Sequence, residues 1–266
     1  MHKIGLRFLN YSYLARGLTR VIHNADTPEL STEVMDFRFR NPVGVAAEFD
    51  ATAEFRRVFS ALGCSFEFIG PLSYGGKNDI RSAVQSLKRP LPLSVPVGIT
   101  ITKRAESTTE DEIQKDFQNA FEYAYDFADM QILNFSDESV GSIHELDFIQ
   151  GITDPILNTR LSYETMRPVL LRLSRLLGRE ELEPILDYCL MNGVDGVVAT
   201  GGARQLAAID EFTKGRFPVV ALTDMRKASE ATDLFNAGAS LIALDASSGQ
   251  FNRTLPQKIL KTLKIK

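Results

Sequence analysis

Eight short apolar runs recur along this chain, spaced so that most neighbours leave room for a helix between them. They cover residues 43–47, 66–69, 97–101, 130–135, 169–173, 196–200, 218–222 and 240–244. Several are near-continuous β-branched or aliphatic stretches, the pattern of parallel strands covered on both faces. Between them, Thr109-Glu110-Asp111-Glu112 has the form of a capping box and starts a helix reaching to about Ala128. Segments 179–192 and 228–237 are amphipathic. Three junctions, Leu62-Gly63-Cys64, Asn192-Gly193-Val194 and Ala237-Gly238-Ala239, put glycine where a helix must stop in the left-handed region before a strand begins. Repeated helix–Gly–strand units with eight strands predict an α/β fold, a closed (β/α)8 barrel, with an open doubly wound sheet as the alternative. The length of 266 residues suits one barrel. Such barrels use about 250 residues. No linker or low-complexity stretch divides the chain, so the expected organisation is an arm over 1–30 and a single barrel domain over 31–266.

The arm differs in character from the rest. Residues 1–25 carry Lys3, Arg7, Arg16 and Arg20 with no acidic residue, and Ile4, Phe8, Tyr11, Leu14, Leu18 and Ile22 fall at helical spacing. A basic amphipathic helix can lie on an anionic membrane. Weak membrane-surface contact through residues 1–25 is one expectation, and packing across the barrel bottom is the other. A net charge of -4 argues against nucleic acid as a partner, because phosphate binding needs a basic face. No run of about 18 apolar residues exists to span a membrane, and the first residues lack the pattern of a signal peptide. Cys64 and Cys189 form no CxxC pair and read as buried reduced thiols. His2, His23 and His144 show no zinc-ligand spacing, so no metal site is expected from them. The expected location is cytoplasmic, or peripheral to the inner face of a membrane.

One stretch, residues 38–52, reads RFRNPVGVAAEFDAT. It resembles the opening strand of the dihydroorotate dehydrogenases, where the family reads roughly NPVGLAAGFDKN. The match runs through Ala46 and Ala47. Glu48 then stands where the family has a glycine against its flavin, and Ala51 where it has a lysine. GLTRVIHNADTPEL, leading into this stretch, resembles the quinone-using class, whose N-terminal helical arm forms the quinone entrance. The resemblance extends from about Leu18 to Leu263. It implies a TIM barrel that oxidises dihydroorotate in pyrimidine biosynthesis, with flavin mononucleotide (FMN) lying across the mouth.

In (β/α)8 enzymes the chemistry sits at the C-terminal ends of the strands. There the resemblance implies flavin contacts from Ala46, Ala47, Thr100, Asn134, Arg172, Thr200 and Gly201, and substrate contacts from Asn134 and Ser139. Asp137 replaces the catalytic serine of the quinone-using class. It is the candidate general base, since a carboxylate can remove a proton next to a carbonyl. Other departures bear on the same mouth. Pro71 replaces a threonine, Thr100 replaces an asparagine and Arg172 replaces a lysine, while Lys103 is kept. Residues 74–96 contain nothing like the family's substrate loop. The phosphate turns read Leu222-Thr223-Asp224-Met225 and Leu244-Asp245-Ala246-Ser247, without the family's glycines. Two like charges 4 Å apart repel by about 4 kcal/mol at an effective dielectric of 20.

Without the family, the rim is acidic: Glu48, Asp50, Asp137, Glu138, Asp224 and Asp245 follow strand ends, with Lys103 and Arg172 as the nearby cations. Three readings follow. The chain is a divergent FMN-dependent dihydroorotate dehydrogenase with its normal activity impaired or lost. Alternatively it is a catalytically silent barrel that binds a small molecule at its mouth without flavin. The third reading is a barrel enzyme of different, metal-assisted chemistry at the acidic rim. The oligomeric state is left open.

Overall fold

The computed structural model describes residues 28–89, 95–137, 145–245 and 252–264, together with Ser12. Each of the eight apolar runs forms a strand: β3 (Val43–Val45), β4 (Glu67–Leu72), β5 (Val97–Ile101), β6 (Met130–Phe135), β7 (Val169–Leu173), β8 (Gly196–Ala199), β9 (Val219–Thr223) and β10 (Leu241–Leu244). They pair in parallel and in sequence order, and β10 returns to β3 to close the barrel. The helices are α1 (Arg56–Ala61), α2 (Ile80–Leu87), α3 (Glu110–Ala124), α4 (Leu146–Arg160), α5 (Arg179–Asn192), α6 (Gly202–Thr213), α7 (Ser229–Asn236) and α8 (Leu255–Lys264). This is the (β/α)8 barrel expected.

Local chemistry explains the boundaries. Thr109 accepts from the Glu112 amide at 3.3 Å while Glu112 accepts from the Thr109 amide at 3.2 Å, so two orphan donors at the start of α3 are satisfied together. Gly63, Gly193 and Gly238 take φ of 94°, 81° and 103°, which lets the chain turn back toward the next strand. Arg160, at the end of α4, donates to the Gly193 carbonyl at 2.8 Å and pairs with Asp195, fastening that helix end to the turn between α5 and β8.

Alternate strand residues face opposite ways. Outward residues such as Val45, Ile99, Leu133 and Leu171 join the helices in the larger core. Inward residues fill the bore: Phe66, Phe68, Met130, Ile132, Leu170, Val198, Val220 and Leu241 form one buried cluster. Phe66 and Phe68 pack with ring centroids 5.1 Å apart. They leave no space beside them. A Cβ on Gly44 would lie 2.5 Å from the Phe66 ring, and one on Gly98 would lie 2.6 Å from Ile132 and 2.7 Å from Phe68.

A feature not anticipated from sequence closes the lower end. β1 (Thr32–Val34) and β2 (Phe37–Phe39) form an antiparallel hairpin. Its two turn residues, Met35 and Asp36, both have positive φ (53° and 62°), as a type I′ turn demands. Phe39 packs edge-on against Phe66, and Val34, Met35 and Phe37 lie on the same cluster. The expectations for the arm over residues 1–25 fall outside the described residues, Ser12 apart. No described helix is long and apolar enough to cross a membrane.

Both cysteines are buried and free. Burial raises the Cys64 thiol and pushes that of Cys189 up to about 12, so neither is a ready nucleophile.

Candidate functional site

The C-terminal ends of β3 and β7 lie on opposite sides of the ring, four positions apart among the eight strands. From these two points an ion pair crosses the mouth. Arg172, on β7, donates through Nη1 to Oε1 of Glu48, which sits in the 3-10 turn Ala47–Phe49 after β3. The side chains are only 13% and 21% exposed, so the pair is strongly shielded from water. It is also incompletely made. Glu48 Oε2 and Arg172 Nε are buried without a hydrogen-bond partner among the described residues. A buried polar atom left this way costs about 1–3 kcal/mol.

Asp50, two residues on from Glu48, holds the loop that follows. Its carboxylate accepts from the backbone amides of Thr52 (3.3 Å), Glu54 (2.9 Å) and Phe55 (2.6 Å), pinning the loop between β3 and α1. Asp50 is therefore a buried turn-former, 2% exposed, and not the rim acid that the sequence suggested. Beneath it lies Glu67, on the outward face of β4 and fully buried. Among the described residues no donor reaches either Glu67 oxygen, and the Asp50 carboxyl is beside it. Burial, then the neighbouring Asp50, hold the Glu67 carboxyl well above the usual carboxylate range, against the opposing pull of Arg56.

Beside the crossing ion pair is a cleft of about 450 Å³. Hydroxyl side chains line it from four strand ends: Ser136, Ser174, Thr200 and Thr223. Arg172 and Arg175 bring positive charge, and Asp224 and Asp245 bring negative charge. Of the residues singled out from sequence as flavin or substrate contacts, Arg172 and Thr200 line this cleft. The polar groups of several others are engaged within the protein. Asn134 accepts from the Ser136 hydroxyl at 2.6 Å, and Thr200 itself donates to the Leu173 carbonyl at 2.9 Å. The Gly201 amide donates to Gln205 at 2.8 Å, and a Cβ there would lie 2.9 Å from the same side chain. Ala46, Ala47 and Thr100 are buried, and the Ala46 amide donates to Leu244. Asp137 sits next to Ser136 but is not among the cleft's lining residues. Lys103 reaches the carbonyls of Arg104 and Ser107, within its own loop, at 3.2 Å each. Ser139 and Glu138 lie outside the described residues. Among the described residues, no three of His, Cys, Asp and Glu converge as a metal site.

Sequence reasoning missed Ser174, Arg175 and Gln205. The first two directly follow β7 at the chemical end of the barrel, a position that was itself a usable signal. The Glu48–Arg172 contact joins residues 124 apart in the chain and carries no local signal.

An FMN group does not fit the residues present. The Glu48 carboxylate crosses the mouth where the resemblance places a flavin ring. Asp224 and Asp245 line the cleft at the strand ends where it places the phosphate.

Fold and site together define a (β/α)8 barrel with a small, mixed-charge cleft at its catalytic end. No family model matches the chain. It is nevertheless similar to the dihydroorotate dehydrogenase (quinone) of Cereibacter sphaeroides, 23% identical over 89% of this chain and 81% of that protein. It is also similar to that of Thermosynechococcus vestitus, 25% identical with the same two coverages. Among solved structures, ligand-free dihydroorotate dehydrogenase from Eimeria tenella superposes with a TM-score of 0.81 at 17% identity, covering 94% of this chain and 93% of that one. An aldolase, QR15, shares the barrel more loosely, with a TM-score of 0.59 at 19% identity, over 84% of this chain and 96% of that one. Over most of its length the chain is thus similar, at 23–25% identity, to quinone-type dihydroorotate dehydrogenases, and it shares their barrel fold.

Proposed function

We propose that this protein is a dihydroorotate dehydrogenase homologue that has lost the normal reaction and binds a small polar molecule at its mouth without flavin. The observation that carries this reading is the ion pair between Glu48 and Arg172. It places a carboxylate across the space that a flavin ring needs, and it removes the free cation that would stand against a reduced flavin. The altered phosphate turns support the same reading, since carboxylates there repel a phosphate at close range. With volume for a small ligand and four hydroxyls, the cleft keeps the character of a binding site.

Two measurements test the reading. The visible absorption spectrum of the purified protein, before and after incubation with FMN, is expected to show no flavin bands. Dihydroorotate with a quinone acceptor is expected to give no turnover. Near-stoichiometric flavin, or turnover abolished by Asp137→Ala, would overturn the proposal and make Asp137 the base of a working enzyme.

A further inference from the structure

We propose that Arg172 is the anion-recognition group of the mouth, that Glu48 is its built-in competitor, and that the ligand is a small monocarboxylate with hydrogen-bond donors at its far end. This rests on the reading of the mouth as a flavin-free binding site, and names what it binds.

The argument begins from the half-made ion pair. A guanidinium and a carboxylate are matched for two parallel hydrogen bonds. Glu48, tethered to the opposite side of the barrel, makes one and leaves Oε2 and Arg172 Nε without hydrogen-bond partners among the described residues. A carboxylate free to choose its approach can make both. A ligand carboxylate that takes its place keeps Arg172 paired, and the displaced Glu48, whose side chain is 21% exposed, turns toward water, whereas removing Glu48 alone leaves the guanidinium unpaired in a shielded place. Glu48 therefore acts as an intramolecular ligand present at high effective concentration, which an incoming carboxylate displaces.

The rest of the cleft narrows the class. Asp224 and Asp245 line it together with Arg172, and they disfavour a doubly charged phosphate. The same two carboxylates accept hydrogen bonds, so they suit hydroxyl or amino groups at the end of the ligand away from Arg172. Ser174 and Thr223 add hydroxyls to the lining of the same cleft. A cleft of about 450 Å³ leaves room for a molecule of a few carbon atoms.

The test is titration calorimetry of the full, flavin-free chain with lactate and, separately, with inorganic phosphate. Glu48→Gln is expected to bind lactate ~10-fold more tightly than the unaltered protein, a change of about 1.4 kcal/mol. The double variant Glu48→Gln with Arg172→Gln, which removes both members of the ion pair together, is expected to lose that gain. Phosphate affinity is expected to rise less than lactate affinity. Equal lactate affinity with and without Glu48, a gain that survives loss of Arg172, no lactate binding in any variant, or a larger gain for phosphate would each overturn the inference. A chain that takes up flavin would instead sink the flavin-free reading beneath it, so the two failures are distinct.

Discussion

Glu67 is a carboxyl group sealed behind β4 with no donor for either oxygen among the described residues, and its surroundings decide its protonation. Asp50 faces it from the loop after β3, the half-buried Arg56 from α1, and Cys64 from the turn before its own strand. Its folded value lies well above the usual one, while in an unfolded chain a glutamate titrates near ~4.3. Folding therefore takes up a proton between those two values. The stabilisation is complete below the unfolded value and is lost as pH rises through the folded one, at about 1.4 kcal/mol per pH unit across that interval. Glu67→Gln keeps the shape and removes the proton. Its melting temperature should gain on that of the unaltered protein steadily as pH rises from about 5 to about 8. A difference that stays constant with pH would show that Glu67 is not protonated in the fold. At this scale the sequence was a poor guide. Asp50 looked like a rim acid because it follows a strand end, yet three backbone amides turn it inward. Arg172 and Glu48 were each legible as mouth residues, but their pairing was not, because only barrel closure brings β3 and β7 face to face.

Elements were more legible than contacts, for reasons that differ from one to the next. The barrel strands showed as continuous apolar runs because both faces are covered, and α3 and α5 showed through their capping residues and their periodicity. The hairpin of β1 and β2 did not show. Its strands are three residues each with a polar residue in the middle, and its turn uses Met35-Asp36 in place of the usual asparagine and glycine. Helix α4 was obscured by Gly151 and Pro155 within it. At the same scale, glycine on β5 is a packing requirement. Gly98→Ala would drive a methyl group into Ile132 and Phe68, and overpacking of this kind destabilises by about 1–3 kcal/mol. Urea denaturation would measure it, and an unchanged midpoint would mean that the bore yields more easily than the distances imply.

For the molecule as a whole, the bore is where the strands' inner faces meet. Phe68 is 1% exposed and touches the ring of Phe66, so truncating it to alanine removes packing from the centre of the barrel. Phe68→Ala is expected to lower unfolding free energy by about 3–5 kcal/mol while the far-ultraviolet circular dichroism stays that of a folded barrel. A loss under about 1 kcal/mol would mean that the hairpin side chains collapse into the space. The filled bore and the hairpin beneath it also make the mouth a blind well. Whatever enters the cleft must leave by the same opening, so two visitors to it take turns. Any pair of them should compete outright, and exchange of one for another should wait on the slower departure.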